Sequence, residues 1–266
     1  MKLKLMALSV SVTAATVTVV ACNTQAPEAR CTVARAVSDG STGSFAATYT
    51  LKEGQDATRA CAQLKPEQVG MQKFFSEDAN ARDTIGVRSR RMGQLPRLLG
   101  LRADPAPVHE PSSVGELVTE FPAADNFCDV PTLTPARLEA PALPAGLPDG
   151  GTQPDGGPAP QAAQSINYEW SNLRVYNTPE IPGTQFVAEL RYTENGCTAE
   201  YNVKGIWPVV NCATAGKPDA TKCDPYPDPK AGRLRGSGIN PIFPVKCDPV
   251  ALICVLTGDV PSDQNP

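Results

Sequence analysis

The stretch Phe186-Val187-Ala188-Glu189-Leu190-Arg191-Tyr192-Thr193-Glu194-Asn195-Gly196-Cys197-Thr198-Ala199-Glu200-Tyr201-Asn202-Val203-Lys204 decides the fold class. Phe186, Ala188, Leu190 and Tyr192 alternate with Val187, Glu189, Arg191 and Thr193. Beyond the turn, Cys197, Ala199, Tyr201 and Val203 alternate with Thr198, Glu200, Asn202 and Lys204. A period of two places each set on one side of a strand, and Asn195-Gly196 tolerates the positive φ angles of a type I′ turn. The stretch therefore reads as a tight antiparallel hairpin with an apolar and a polar face. Residues 168–176 supply a third strand, with a bulge expected where the alternation breaks at Ser171-Asn172. Tyr168, Trp170, Tyr176 and Trp207 could line a carbohydrate-binding face, although cross-strand and core packing is the commoner use of such residues.

Working outward, residues 45–51, 69–75, 84–88 and 116–121 read as strands. Residues 32–37 pair with 45–51 across the turn-rich 38–44. Residues 56–64 carry a capping-type Asp and stop before Pro66, which predicts a short helix bearing Cys61. Arg82, Arg88, Arg90, Arg91, Arg97 and Arg102 give a local basic bias; without periodicity it reads as a solvated, charge-balanced loop rather than a patch for anionic headgroups or acidic polysaccharide. Residues 131–164 hold eight prolines and five glycines with almost no large apolar side chains, the composition of a linker or long surface loop. The doubled Pro-Asp-Gly-Gly at 148–151 and 154–157 reads as tandem turns, since a calcium loop needs more oxygen ligands. The chain is loop-like from Trp207-Pro208 to Arg235, pinned by Cys212 and Cys223, and then offers short strands at 242–246 and 252–256. The expected fold is mostly β: antiparallel sheets or a sandwich-like core, disulfide-stapled, with one short helix. An N-terminal β-rich part (31–130) precedes the linker, and a Cys-rich C-terminal part (165–266) packs against it.

At the N-terminus, Lys2 and Lys4 precede an apolar run from Leu5 to Val20, which ends in Val19-Val20-Ala21-Cys22. At about 17 residues with several Ser and Thr, this is a secretory signal rather than a membrane span. The motif resembles a bacterial lipobox. The resemblance implies removal of residues 1–21 as a lipoprotein signal peptide and acylation of Cys22, with residues 22–30 as a tether. The body, rich in Pro, Ala, Gly and Arg with a Cys-stapled β pattern, resembles the outer-membrane lipoproteins numerous in myxobacteria. Asn23 follows the cysteine where an inner-membrane retention signal would show Asp, so the resemblance implies an outer-membrane location.

With Cys22 lipidated, the other eight of the nine cysteines (Cys31, Cys61, Cys128, Cys197, Cys212, Cys223, Cys247 and Cys254) suffice for four disulfides in an oxidising compartment. Three precede the linker and five follow it. Both counts are odd, so complete pairing requires a bridge across the linker. Favouring short loops gives Cys31–Cys61, Cys128–Cys223, Cys197–Cys212 and Cys247–Cys254. A zinc site is disfavoured because no Cys-x-x-Cys occurs and the single histidine, His109, sits in a proline-bracketed loop.

Removing Lys2 and Lys4 leaves 22 basic against 28 acidic residues, a balance unsuited to nucleic acid. No cofactor or metal is expected. The first functional reading is a lipid-anchored envelope protein, a non-enzymatic binding or structural module with an envelope glycan or protein as partner. The alternative is a surface hydrolase acting on envelope polymers, with carboxylates or His109 in its site. It lacks a nucleophile elbow and a His-based metal motif.

Overall fold

In the computed structural model, residues 29–34, 43–78, 80–98, 108–142 and 162–262 are described. The signal segment, the lipobox with Cys22, most of the tether and the doubled Pro-Asp-Gly-Gly lie outside them.

The chain runs through β1 (Gly43–Leu51), β2 (Glu67–Phe74), β3 (Thr84–Ser89), α1 (Arg90–Leu98), β4 (Val108–Glu110), β5 (Ser113–Glu116), β6 (Phe127–Thr132) and β7 (Ala136–Ala140). It continues through β8 (Gln164–Asn177), β9 (Pro182–Glu194), β10 (Cys197–Ile206), β11 (Ala213–Thr214), β12 (Lys217–Pro218), β13 (Val245–Cys247) and β14 (Cys254–Leu256). β11–β12 and β13–β14 form two-stranded ribbons; the other ten strands form one antiparallel sheet in the order β4-β7-β8-β9-β10-β1-β2-β3-β5, with β6 also paired to β8. The sheet rolls up until its last strand meets β6: Val118 N donates to Asp129 O at 2.9 Å and Thr134 N to Val114 O at 2.9 Å. The result is a nearly closed barrel, which leaves few unpaired strand edges.

The β9–β10 hairpin is central to it. Cys197 faces Glu194 and Ile206 faces Gln185, with Asn195 at φ 49° and Gly196 at φ 80° in the turn, as the alternation and the Asn-Gly pair require. Phe186, Leu190, Tyr192, Ala199, Tyr201 and Val203 enter the main core. β8 is the third strand. Its register against β9 shifts between Ser171 and Arg174, with Asn172 at φ 48°, at the place where the alternation broke. Tyr168, Trp170 and Tyr176 are buried, so the aromatic set packs the fold instead of presenting a flat sugar-binding face.

Several expected boundaries move. The helix expected over 56–64 is only a 3-10 turn at Ala60–Ala62. The nine-residue α1 falls in the arginine-rich stretch read as loop, because its support comes from other strands rather than from its own composition. The strand expected over 116–121 lies earlier, as β5, and residues 131–142 of the expected linker carry the end of β6 and all of β7. Ala136, Leu138 and Ala140 alternate inward there, too small and too few to outweigh the flanking prolines in a compositional reading.

All eight cysteines outside the lipobox are paired, as Cys31–Cys128, Cys61–Cys197, Cys212–Cys247 and Cys223–Cys254. None of the four expected pairings occurs: rolling the sheet brings Cys31 to Cys128 and Cys61 to Cys197, and the last four cysteines pair among themselves in the C-terminal module. One bridge, Cys61–Cys197, does cross from one half to the other, as the odd counts demand. A second core, built from Ile239, Phe243, Ile253, Val255 and the two C-terminal disulfides, packs on the outer wall against Ala46, Ile206 and Tyr176.

Candidate functional site

The inward row of β2 reads Glu67, Val69, Met71, Lys73, with a charge at each end of the barrel and apolar residues between. At one end Glu67 accepts hydrogen bonds from Tyr49 Oη at 2.8 Å and Arg91 N at 3.0 Å, with Tyr168 Oη at 3.4 Å. Burial pushes the Glu67 carboxyl above its ordinary range, and these hydrogen bonds and the Arg91 charge oppose the shift without cancelling it. Burial also raises the hydroxyls of Tyr49 and Tyr168, with the Glu67 charge adding to both. Arg91 donates to Tyr192 Oη at 2.6 Å, forms an ion pair with Glu194 and lies 5.8 Å from the Tyr192 ring centroid; Tyr192 Oη in turn donates to Glu194 at 2.6 Å.

This cluster fastens α1 over the barrel mouth. The helix has no acidic residue in its own first turn; Glu67 supplies the negative charge at its N-terminus, and Ser89 Oγ accepts from Met92 N at 3.2 Å. Pro96 has no N–H to give the Met92 carbonyl, and His109 Nε2 lies 3.2 Å from that oxygen, so the imidazole substitutes for the missing helical donor. His109 is thereby a structural partner of the helix.

At the opposite end, the Lys73 side chain is 8% exposed and its Nζ reaches Asp83 at 2.8 Å and Cys31 O at 2.8 Å. Arg91 pairs with Glu194, Arg88 lines a groove beside Phe74 and Val114, and Arg82 lines another beside Asp78 and Asp83, so these three arginines do not share one basic patch.

The outer wall carries a groove of 530 Å³ over β1, β8, β9 and β10, lined by Asn172, Arg174, Glu189, Asn202, Lys204 and Asp259 among others. Val187, Ala188, Val203 and Val260 share the lining, and Arg174, Glu189 and Lys204 are engaged with Asp129, Lys52 and Gly258 O, so the groove offers apolar area beside amides. In the C-terminal module the sulfurs of Cys212, Cys223 and Cys254 lie within 4.8 Å of one another, but each is in a disulfide and has no thiolate to offer a cation.

A family model described as MlpA matches residues 43–208, the span that forms the barrel. The chain is also 30% identical over 253 residues to the "Putative lipoprotein MlpA" of Myxococcus xanthus, across 91% of this chain and 90% of that protein. The chain belongs to the MlpA family. The resemblance to myxobacterial lipoproteins drawn from the lipobox and the Cys-stapled body is thereby borne out. No solved structure matches. The MlpA match begins at β1 and ends two residues after β10, so it contains Glu67, Arg91, Glu194 and the Cys61–Cys197 bridge, and leaves outside it the C-terminal residues of the second core, from Cys212 to Leu256.

The sequence reading missed Glu67, Arg91 and Glu194. A signal for Glu67 was present: it lies two residues before Val69 on the face that Val69 and Met71 bury. Glu67→Gln tests the cost of that burial. A carboxyl whose folded-state pKa lies above its usual 4.5 binds its proton more tightly in the folded chain, so wild type loses stability as pH rises from that value through the raised one, and then levels off. The Gln variant keeps an acceptor but cannot ionise. Its stability relative to wild type should therefore increase over that window in denaturant titrations; parallel pH profiles would show that Glu67 is no more buried than a surface carboxylate.

Proposed function

We propose that this MlpA-family protein is an outer-membrane lipoprotein, anchored through acyl chains on Cys22, whose barrel is a non-enzymatic binding or structural module. The observation that carries the reading is Val19-Val20-Ala21-Cys22 after a basic, then apolar, N-terminal segment. The M. xanthus relative named "Putative lipoprotein MlpA", matched over 90% of its length, supports it. More than one acyl chain is needed for stable anchoring, since each buried methylene contributes about 0.8 kcal/mol.

The engagement of the polar groups supports the non-enzymatic half. Glu67 and Glu194 accept from tyrosine hydroxyls and from Arg91, and His109 serves the Met92 carbonyl, so these two carboxylates and the single histidine are committed to holding α1. The outer groove, part apolar and part amide-lined, is the surface offered to an envelope glycan or protein. Cys22→Ala should abolish acylation, seen as the loss of the lipid mass on the intact chain, and leave an unlipidated precursor or a misprocessed form that partitions into detergent differently from wild type. Identical partitioning of variant and wild type would reject the anchor.

A further inference from the structure

We infer that the barrel end carrying the Cys31–Cys128 bridge lies on the bilayer, with Phe74 and Phe75 of the β2–β3 hairpin as an apolar wedge entering its surface. The inference rests on the Cys22 anchor proposed above and adds the orientation of the body and the residues that touch lipid. Phe75 is 71% exposed and Phe74 47%, and Val118 of the adjoining segment after β5 is 41% exposed. Adjacent exposed aromatics are uncommon on a surface that meets only water, and such clusters mark contact with apolar partners.

The occupant is fixed by where the tether joins the fold. Eight residues separate Cys22 from Cys31, a reach of roughly 30 Å even when extended. The tether arrives at this end of the barrel: Arg30 lies 5.3 Å from the Phe121 ring centroid and pairs with Glu120, while Cys31 N donates to Glu120 O at 2.9 Å. One ammonium ties this entry point to the wedge, since Lys73 Nζ lies 2.8 Å from Cys31 O and 4.8 Å from the centroid of the Phe75 ring. The acyl chains and the exposed phenylalanines are therefore held on the same side, and the anchor supplies the high effective concentration of bilayer that two aromatic rings alone would not command.

The charges nearby argue against headgroup attraction as the cause. Glu77 and Asp78 are exposed in the same turn and outnumber its exposed cation, Arg82, and Lys73 is already paired with Asp83. Contact is through apolar burial, so zwitterionic lipid suffices and added salt leaves it unchanged.

The test uses the full lipidated chain reconstituted into phosphatidylethanolamine–phosphatidylcholine vesicles, with or without lipids brominated near the headgroup end of the acyl chains. Phe75→Trp places a reporter on the wedge and Phe74→Trp a second one beside it. Lys65→Trp places a control at an exposed position by the opposite mouth, near Glu67. Emission of wild type, from Trp170 and Trp207, is subtracted. In the wedge variants the added emission should shift to the blue and lose most of its intensity with brominated lipid, while the Lys65→Trp emission stays unchanged. Wild type that fails to float with the vesicles would overturn the anchor and the wedge together. Flotation with no quenching at either phenylalanine position, or with equal quenching at position 65, would overturn the wedge alone.

Discussion

A chain carrying Cys61→Ser and Cys197→Ser should lose about 5 kcal/mol of unfolding free energy, the largest loss expected from any one bridge. The bridge closes a loop of 136 residues, and the chain entropy it removes from the unfolded state grows with the logarithm of that length. Cys212→Ser with Cys247→Ser, opening a loop of 35 residues, should cost about 4 kcal/mol on the same account. The crossing bridge also fixes the turn at Ala60–Ala62 against the start of β10, where Tyr201 Oη donates to Cys61 O, so its loss loosens the Glu67 mouth as well. Guanidinium titrations without reductant compare the two variants. A smaller loss from the Cys61–Cys197 pair than from the shorter loop would mean that the barrel's other contacts already hold the two halves together in the unfolded ensemble. The bridge has a second readout: cleavage between residues 142 and 162 should leave two fragments that separate on a denaturing gel only after reduction.

Gly115→Val should cost about 3 kcal/mol or more, at the upper end for inserted bulk, because the atoms it meets cannot swing away. A Cβ at Gly115 would sit 2.4 Å from the Thr132 carbonyl oxygen, 2.5 Å from Val130 Cγ1 and 2.9 Å from Leu133 Cγ. This is the seam where β5 meets β6, so the substitution pushes apart the two strands that bring the sheet round on itself. Hydrogen exchange should quicken first at the amides of Val118 and Thr134, which bond across that seam, and least in the β9–β10 hairpin. A stability within about 0.5 kcal/mol of wild type would show that the seam is loose enough to take a side chain.

The parts of the fold that were legible from sequence are those whose pattern is local. The β9–β10 hairpin declares itself through eight alternating pairs and Asn195-Gly196, and the bulge in β8 through the break at Ser171-Asn172. What could not be read is set by distant partners. α1 contains Gly93 and Pro96, both poor helix residues, and exists because Glu67, Ser89 and His109 satisfy its backbone from outside. The disulfide partners were likewise hidden: the need for a crossing follows from counting, but which sulfur meets which depends on how the sheet rolls. Of the candidate site, the Glu67–Arg91–Glu194 cluster joins Arg91 to a residue more than a hundred positions away and leaves only the odd placement of Glu67 on an apolar face as a trace.

The inward row of β2 has one more effect, on the alternatives the chain must refuse while folding. In a sheet with a period of two, a strand that slides by two residues still turns the same face inward, so the hydrophobic pattern alone cannot tell the native pairing from such a slip. With Glu67 and Lys73 at the two ends of that face, sliding in either direction drags one charge toward the dry middle of the barrel and pulls the other out past its partners. The pair thus works as end stops on a ruler, and a strand that would otherwise have several nearly equivalent resting places is left with one.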